Sequence, residues 1–600
     1  MSKRSGLLLL ALLTTCLFTN SLLAGPTATI TGRVTNPSGT VLAGVRVEAT
    51  NVETNVTFTS ETNAEGLYNI PDLPPGTYRV ILQKFAFRTI VKPDVELHVQ
   101  DVSALNFSME VGSVTESIMV DAGAPLIQAG PQRGGDFVSR EVRDLPLVSL
   151  NPVTLARTLP GVIELPGTSL LSNYPEAAFS VNGQRQRANN YSLDSTENNE
   201  MWGTGIAQPF NIADAVEEVS AQTGNFGVEF GRAGGGIFNV VTKSGTNALR
   251  GTLLWRYQSQ LFDSVSNVDK MNHAPRIAFS QNVYGFTVGG PLRKGKTFFF
   301  GGLQWDTRRS SPFKLVVPTE SAVSTLRSLF PSNPRLDLYL SLLGNLRGTA
   351  SPFPIQLGDD PSGVDRGTVQ FATAPLAQAE SQGGPEWLLR LDHNLSEAHH
   401  LAFRYIYDSN TYSPSSINFP GFIADDDRRA QNFLFTDHYT FSPSWTNEFR
   451  FSYARPEWET AGISPQSVPL ARTLPQIRIS SIDAPGLWNG THFLVANNLL
   501  FQEMQTKLSG RHTFRYGVEF LRQLAAEQPL AYVRAEIHLH GRARLLRFRQ
   551  LLGRLQRAFR SRAQNFWRKC FPSRSIPSGL LFPGHVAAGA FAESNGRTPL

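Results

Sequence analysis

Cysteine is nearly missing from this 600-residue chain: Cys16 and Cys570 are the only two. Long apolar runs are equally scarce. The one from Leu7 to Phe18 follows Lys3 and Arg4, precedes the small residues Ala24 and Gly25, and is too short for a stop-transfer helix. It reads as a cleaved secretory signal over residues 1–24. Thr15 is a poor fit to the small residue expected before a lipid-modified cysteine, so Cys16 leaves with the signal. Cys570 then stands alone, no intramolecular disulfide is possible, and stability has to come from packing and sheet closure. No other stretch reaches about twenty apolar residues, which excludes a helical membrane protein. An exported chain without a helical span is soluble or is a barrel. Histidine is also sparse: His98 is the only one before His273, so a zinc-protease ligand set cannot be built in that half.

Acidic residues disappear toward the end. From Ile537 to Leu600, Glu593 alone opposes twelve lysines and arginines, a surplus larger than the net charge of +6 of the whole chain. The basic pI of about 9.3 therefore belongs to the tail, and the rest is net acidic. A nucleic-acid partner, which overall basicity would otherwise suggest, is not expected.

What is present is short alternating strands. Val45, Val47 and Ala49 alternate with Arg46, Glu48 and Thr50, and Tyr78, Val80 and Leu82 with Arg79, Ile81 and Gln83, so one sheet face is apolar. Turns at Asn36-Pro37-Ser38-Gly39 and Pro74-Pro75-Gly76 punctuate them. The spacing predicts a small β-sandwich over 27–111. The words ITGRVTNPSGTVLAGVRVEA and TNAEGLYNIPDLPPGTYRV resemble the carboxypeptidase regulatory-like domain, a transthyretin-like sandwich also classed as carbohydrate-binding-like. The resemblance implies no peptidase activity. No exposed aromatic pair supports sugar binding, and an accessory periplasmic module is the expectation.

Residues 112–127 read as a linker. Within it, Val114, Thr115, Glu116, Ser117, Ile118, Met119 and Val120 form an extended apolar and hydroxyl-rich segment that resembles a TonB box, which pairs edge to edge with a strand of a TonB-like energising protein. The same residues also fit a last sandwich strand. The stretch DAVEEVSAQTGNFGVEFGRAGGGIFNVVTKSGTN, Asp214 to Asn247, runs a glycine-dense loop into a β-branched strand. A phosphate cradle at Gly231, Gly234, Gly235 and Gly236 would need a following helix; Ile237, Phe238, Val240 and Val241 predict a strand, and the glycines are assigned to tight backbone approach. This stretch, with DLPLVSLNPVTLARTLPGV and FSVNGQRQRANNYSLDSTENNE, resembles the plug domain of Oar-like TonB-dependent outer-membrane transporters, here over 128–249. Arg185, Arg187, Asp194 and Glu197 are candidate ligand or metal contacts of the plug loops; pairing with a barrel wall or facing water are the alternatives.

Membrane strands are expected beyond Asn247, over 250–524. Leu253, Trp255 and Tyr257 alternate with Leu254, Arg256 and Gln258. The period recurs at Tyr284, Phe286 and Val288; at Leu401, Phe403 and Tyr405; at Phe449, Phe451 and Tyr453; and at Phe514, Tyr516, Val518 and Phe520. One apolar and one polar face is what lipid and lumen require. The words NVYGFTVGGPLRKGKTFFFGGLQW, RLDHNLSEAHHLAFRYIY, TFSPSWTNEFRFSYAR and GRHTFRYGVEF resemble Oar-like barrel hairpins in order. Plugged transporters of this kind close with about 22 strands, more than residues 250–524 supply. An incomplete antiparallel barrel is expected. The tail, 525–600, reads as a sequence out of frame from somewhere between Gln523 and Gly541. Its rival is a basic amphipathic helix with Leu545, Phe548, Leu552, Leu555 and Phe559 on one face.

The predicted fold class is thus mainly β: a transthyretin-like sandwich, a plug, and an incomplete transmembrane barrel. No catalytic constellation emerges from the scattered Ser, His and Asp residues. His399 and His400 are expected at a solvated turn, His538 and His540 lack a third metal ligand, and neither cofactor nor metal is expected. The resemblance implies a TonB-dependent transporter or receptor in the bacterial outer membrane, in contact with outer-membrane lipid, with the sandwich in the periplasm. The unidentified ligand could be a carbohydrate, siderophore or peptide. A secreted or surface carbohydrate-binding β-protein and a non-functional remnant of such a transporter are the alternatives.

Overall fold

The computed structural model describes residues 28–529 and 537–538, apart from 100, 113–116, 120–126, 129–132, 146–150, 166–177, 200–206, 209, 227–230, 265–266, 272–277, 311–313, 358–366, 377, 465–466, 468–476, 479–491 and 511. The signal segment, nearly all of the basic tail and His540 lie outside the described residues.

The alternating residues near the N-terminus build two sheets. One runs in the order Thr57–Glu61, Arg46–Asn51, Gly76–Gln83, Thr89–Leu97, Ser117–Met119; the other places Ile127–Gln128, Val102–Ala104, Ala28–Thr35 and Leu67–Leu73 side by side, with Phe107–Ser108 also on Ala28–Thr35. Val45, Val47, Ala49, Tyr78, Val80 and Leu82 are fully buried between them. Each such side chain contributes about 1.5–3 kcal/mol by leaving water if it is large and aliphatic. Tyr68 and Tyr78 are buried whole because each hydroxyl finds a carbonyl, Leu105 O at 2.8 Å and Pro74 O at 2.7 Å. The apolar core comes entirely from residues between Ala28 and Met109. Two short strands, Ser117–Met119 within the 112–127 stretch and Ile127–Gln128 at its end, nevertheless add one edge to each sheet.

The plug is a five-stranded sheet, Arg133–Val138, Val216–Gly224, Ile237–Thr242, Asn190–Leu193 and Thr196–Glu197. Its central strand Ile237–Thr242 is buried at all six positions, which is why it reads as a continuous apolar run instead of an alternation. Tyr191 stacks on Phe238 at 5.0 Å, and Phe179 lies 5.8 Å from the same ring. Asn182 and Gly183 form a turn, at φ 50° and 78°. Its flanking strands do not pair with each other: Phe179–Val181 pairs with Val162–Glu164, and Asn190–Leu193 pairs with Ile237–Val240 and with Thr196–Glu197.

Nine antiparallel strands follow, each paired with the next: Arg250–Ser259, Phe279–Arg293, Thr297–Ser310, Glu380–Ser396, His399–Phe419, Phe422–Ser442, Trp445–Ile463, His492–Ser509 and His512–Pro529. Outward residues are apolar and aromatic; Leu253 is 91% and Trp255 73% exposed. Inward residues such as Arg404, Asn432, Arg450 and Asn498 are buried against the plug or one another. The first and ninth strands stand at opposite ends of the sheet, and no described strand closes it. The turns at 294–296, 397–398 and 443–444 are short, as on the periplasmic side of outer-membrane barrels. The sandwich sits at that end.

Between the third and fourth strands lies an insertion with its own sheet, strands Lys314–Pro318, Ala350–Gln356 and Thr368–Pro375, and helices Glu320–Leu329 and Pro334–Leu343. It packs on the Phe419–Phe422 hairpin tip, Tyr339 lying 5.2 Å from Phe419. These helices were not expected from the sequence.

Candidate functional site: the plug and its anchors

Asp194 and Ser195 form the tip of a plug hairpin, both in the left-handed region at φ 46° and 56°, where a short polar side chain is tolerated. The Asp194 carboxylate is buried and accepts from Thr242 N at 2.8 Å and Thr242 Oγ1 at 2.9 Å. It meets Arg404 of the barrel wall in direct contact, with Arg390 at 3.9 Å. Arg390 also donates to Thr242 O at 2.8 Å, and Arg450 to Ser195 O at 3.0 Å. Three inward arginines from three barrel strands thus converge on one plug turn. Breaking a buried ion pair of this type costs about 3–5 kcal/mol because the remaining charge has no solvent.

Glu197, two residues after the turn, is buried and pairs with Arg232 of the glycine loop at 2.5 Å; Arg232 reaches on to Glu519 of the ninth barrel strand at 3.4 Å. Four residues before Arg390 on the same barrel strand, both carboxylate oxygens of Glu386 accept from Asn211 N at 3.0 Å, and Gln304 Nε2 donates to Asn211 O at 3.0 Å. Arg185 precedes the short helical turn Gln186–Ala188 and Arg187 lies within it; both are exposed. Of the four plug-loop candidates, the structure brings Asp194 and Glu197 against wall or loop arginines.

The glycine loop splits similarly. A Cβ on Gly235 would lie 2.4 Å from Asn189 Oδ1, and one on Gly236 3.0 Å from both Val181 and Phe238, whereas Gly231 and Gly234 have room. Close approach thus explains two of the four. Ile237–Thr242 follows as a strand.

In the partner-segment candidate, Ser117–Met119 pairs in parallel with Thr89–Val91 of the sandwich, and Met119 is 75% exposed. Val114, Thr115, Glu116 and Val120 lie outside the described residues. His399 and His400 correct the expectation of a solvated turn. His399 Nε2 is 2.7 Å from Asp437 Oδ1, and His400 packs beside Phe58 of the sandwich at 5.0 Å, because the sandwich covers this end of the barrel. His538 falls in a short described strand, Ile537–His538. Among the described residues no group of three or more metal-ligating side chains is gathered.

Anchors between sandwich and plug escaped the sequence reading. Glu218 of the plug accepts from Val99 N at 3.0 Å and lies 3.3 Å from His98 Nδ1. The Glu218 hydrogen bond raises His98 to about 9, against partial burial and with help from the charges of Glu218, Asp101 and Glu96. His98 is therefore cationic at neutral pH, and its contribution to docking is complete below the ordinary histidine range and lost as pH rises through about 9. Burial pushes Glu218 itself upward, with His98 opposing. On the other sheet, Asp72 accepts from Thr446 Oγ1 at 2.7 Å and lies 3.8 Å from His438. Burial would push its carboxyl up; His438 above all, then Arg515 and Thr446, hold it down at about 2.

Comparison with known proteins fits this arrangement. Residues 241–544 match the outer membrane beta barrel domain and residues 29–110 the carboxypeptidase regulatory-like domain. The TonB-dependent transporter Oar of Myxococcus xanthus is 27% identical over 268 residues, 43% of this chain and 25% of that one. Among solved structures, the outer membrane transporter YddB of Escherichia coli aligns with TM-score 0.43 and 13% identity over 66% of this chain and 48% of its own. A ferric enterobactin receptor mutant of Pseudomonas aeruginosa aligns with 0.39 and 12% over 66% and 49%. The chain thus spans a quarter of the length of the curated relative and about half that of the two solved structures. With half of its residues matched by the barrel domain and the regulatory-like domain ahead of them, the chain is similar to Oar, belongs to the outer membrane beta barrel family, and is a protein of the bacterial outer membrane.

Proposed function

We propose that this protein acts as a TonB-dependent outer-membrane transporter or receptor that passes a ligand by displacing its plug. The observation that carries the reading is the turn at Asp194, held by inward arginines of the barrel wall. No described plug strand pairs with a described barrel strand, so the plug is held by side chains and by packing of Phe300, Leu388 and Ile406 against its core. Side-chain hydrogen bonds can be exchanged for bonds to water as plug and wall separate, whereas a shared ladder would have to be torn as a unit. Such a plug can shift without unfolding the barrel.

Ligand enters from the end opposite the sandwich. There the inward face carries Glu386 and Asp408, and Arg428 lies over Trp458 at 4.1 Å and Tyr412 at 5.1 Å. Charge beside aromatic rings suits a polar ligand with several hydrogen-bonding groups, and carbohydrate, siderophore and peptide all remain candidates. Energy comes from a TonB-like protein adding a strand to the segment Val114–Val120. Ser117–Met119 supports this because it is the last strand of its sheet, with one edge unclaimed by any described strand.

Binding of a purified TonB-like periplasmic domain to the full-length protein tests the reading. Ile118→Pro removes a backbone donor and should weaken binding more than Ile118→Val. Equal binding by the two variants would place the contact elsewhere.

A further inference from the structure

The sandwich is tied to everything around it. On the barrel side, Ser60 Oγ donates to Pro443 O at 2.9 Å, Asn63 Nδ2 to Gly510 O at 2.7 Å, and Asp72 accepts from Thr446. Where plug meets barrel, Asn247 donates from N to Glu53 O at 3.0 Å and from Nδ2 to Thr54 O at 2.7 Å, and Arg250 pairs with Glu53 at 2.5 Å. On the plug side, the contact is His98 and Val99 on Glu218.

One sandwich strand links two of these neighbours. Thr89–Leu97 pairs at its start with Ser117–Met119, and its end runs directly into His98 and Val99 on the plug. The edge strand at the far side of the same sheet, Thr57–Glu61, carries Ser60 against the barrel turn. The covalent route from Ser117–Met119 to the plug is interrupted, because Ile127–Gln128 is itself paired to Val102–Ala104 of the other sheet. A load placed on the 117–119 segment is therefore shared by the sandwich before it reaches Arg133, where the first plug strand begins.

We propose that the N-terminal sandwich is the coupling element between the partner segment and the plug, with the Glu218 clasp on His98 and Val99 as its releasable joint. While the clasp is closed, the sandwich rests on the barrel rim and holds the plug strand Val216–Gly224. When it opens, sandwich and plug move separately. Glu218 and His98 are positioning residues in this scheme, and what is transmitted rests on the transporter reading. The docking itself does not.

Amide exchange of the full-length protein in detergent micelles, followed by mass spectrometry, tests the joint without any partner. Glu218→Ala, and independently His98→Ala on the sandwich side, should each speed exchange roughly tenfold or more in peptides spanning both 98–104 and 216–224, the effect of losing a charge-assisted hydrogen bond. Peptides covering Tyr68 and Tyr78 should keep their protection. Unchanged exchange in both regions overturns the proposal. So does faster exchange in the plug strand alone, or loss of protection throughout the sandwich, which would make Glu218 and His98 ordinary stability residues. Failure of TonB binding with this pattern intact would sink the transporter reading and leave the joint standing.

Discussion

A carboxylate at a hairpin tip facing arginines contributed by the enclosing wall is the residue-scale basis of the account. Asp194→Asn keeps an acceptor for Thr242 and removes the charge that faces Arg404 and Arg390. It should cost about 3–5 kcal/mol of plug anchoring, seen as faster amide exchange in Asn190–Leu193 and Ile237–Thr242. Exchange no faster than in the unmodified protein would mean that packing alone holds the plug. The sequence named Asp194 and Glu197 but could not separate them from Arg185 and Arg187, because what distinguishes them is a partner on a distant strand. Arg404 and Arg450 carried a readable signal, an arginine at an inward position between aromatics at Phe403 and Tyr405 and at Phe449 and Phe451. A charge in that position demands a partner inside the barrel. His98 and Glu218 carried no such signal: His98 lies just past the end of its strand, and Glu218 follows another glutamate, with nothing in the sequence to tell the buried one from its neighbour.

Strands were legible where one face is buried and one is not, because alternation then repeats every two residues. Sandwich strands such as Arg46–Asn51 and Gly76–Gln83 and barrel strands such as Arg250–Ser259 follow this rule. Two kinds of element did not. Ile127–Gln128 is too short for a period to register and is fixed by the sheet it joins, whereas Ser117–Met119 takes the alternative of a last sandwich strand read in Val114–Val120. The insertion helices lie inside a chain otherwise read in twos. Thr319, whose hydroxyl accepts from Ala322 N at 3.2 Å, and the buried Ala322, Val323 and Leu326 were the available cues. The sandwich core is complete by Met109, so a fragment ending at residue 111 should melt cooperatively by circular dichroism. One ending at residue 129 should melt at a higher temperature because it adds both edge strands. A disordered shorter fragment would show that the core depends on those edges.

The order of the sandwich, plug and barrel strands was legible because each follows a different pattern: alternating strands with tight turns, a glycine loop entering a fully buried strand, then aromatic membrane strands. What holds the modules to one another was not, since those contacts join residues hundreds of positions apart, such as Asp72 with Thr446 and Asp194 with Arg404. The central claim is a plug held inside outer-membrane strands, and membrane fractionation with gel migration before and after boiling tests it most directly. The protein should sediment with outer membranes, need detergent for release, and migrate differently unheated than boiled. Recovery in the soluble periplasm with a single, heat-independent band would contradict it.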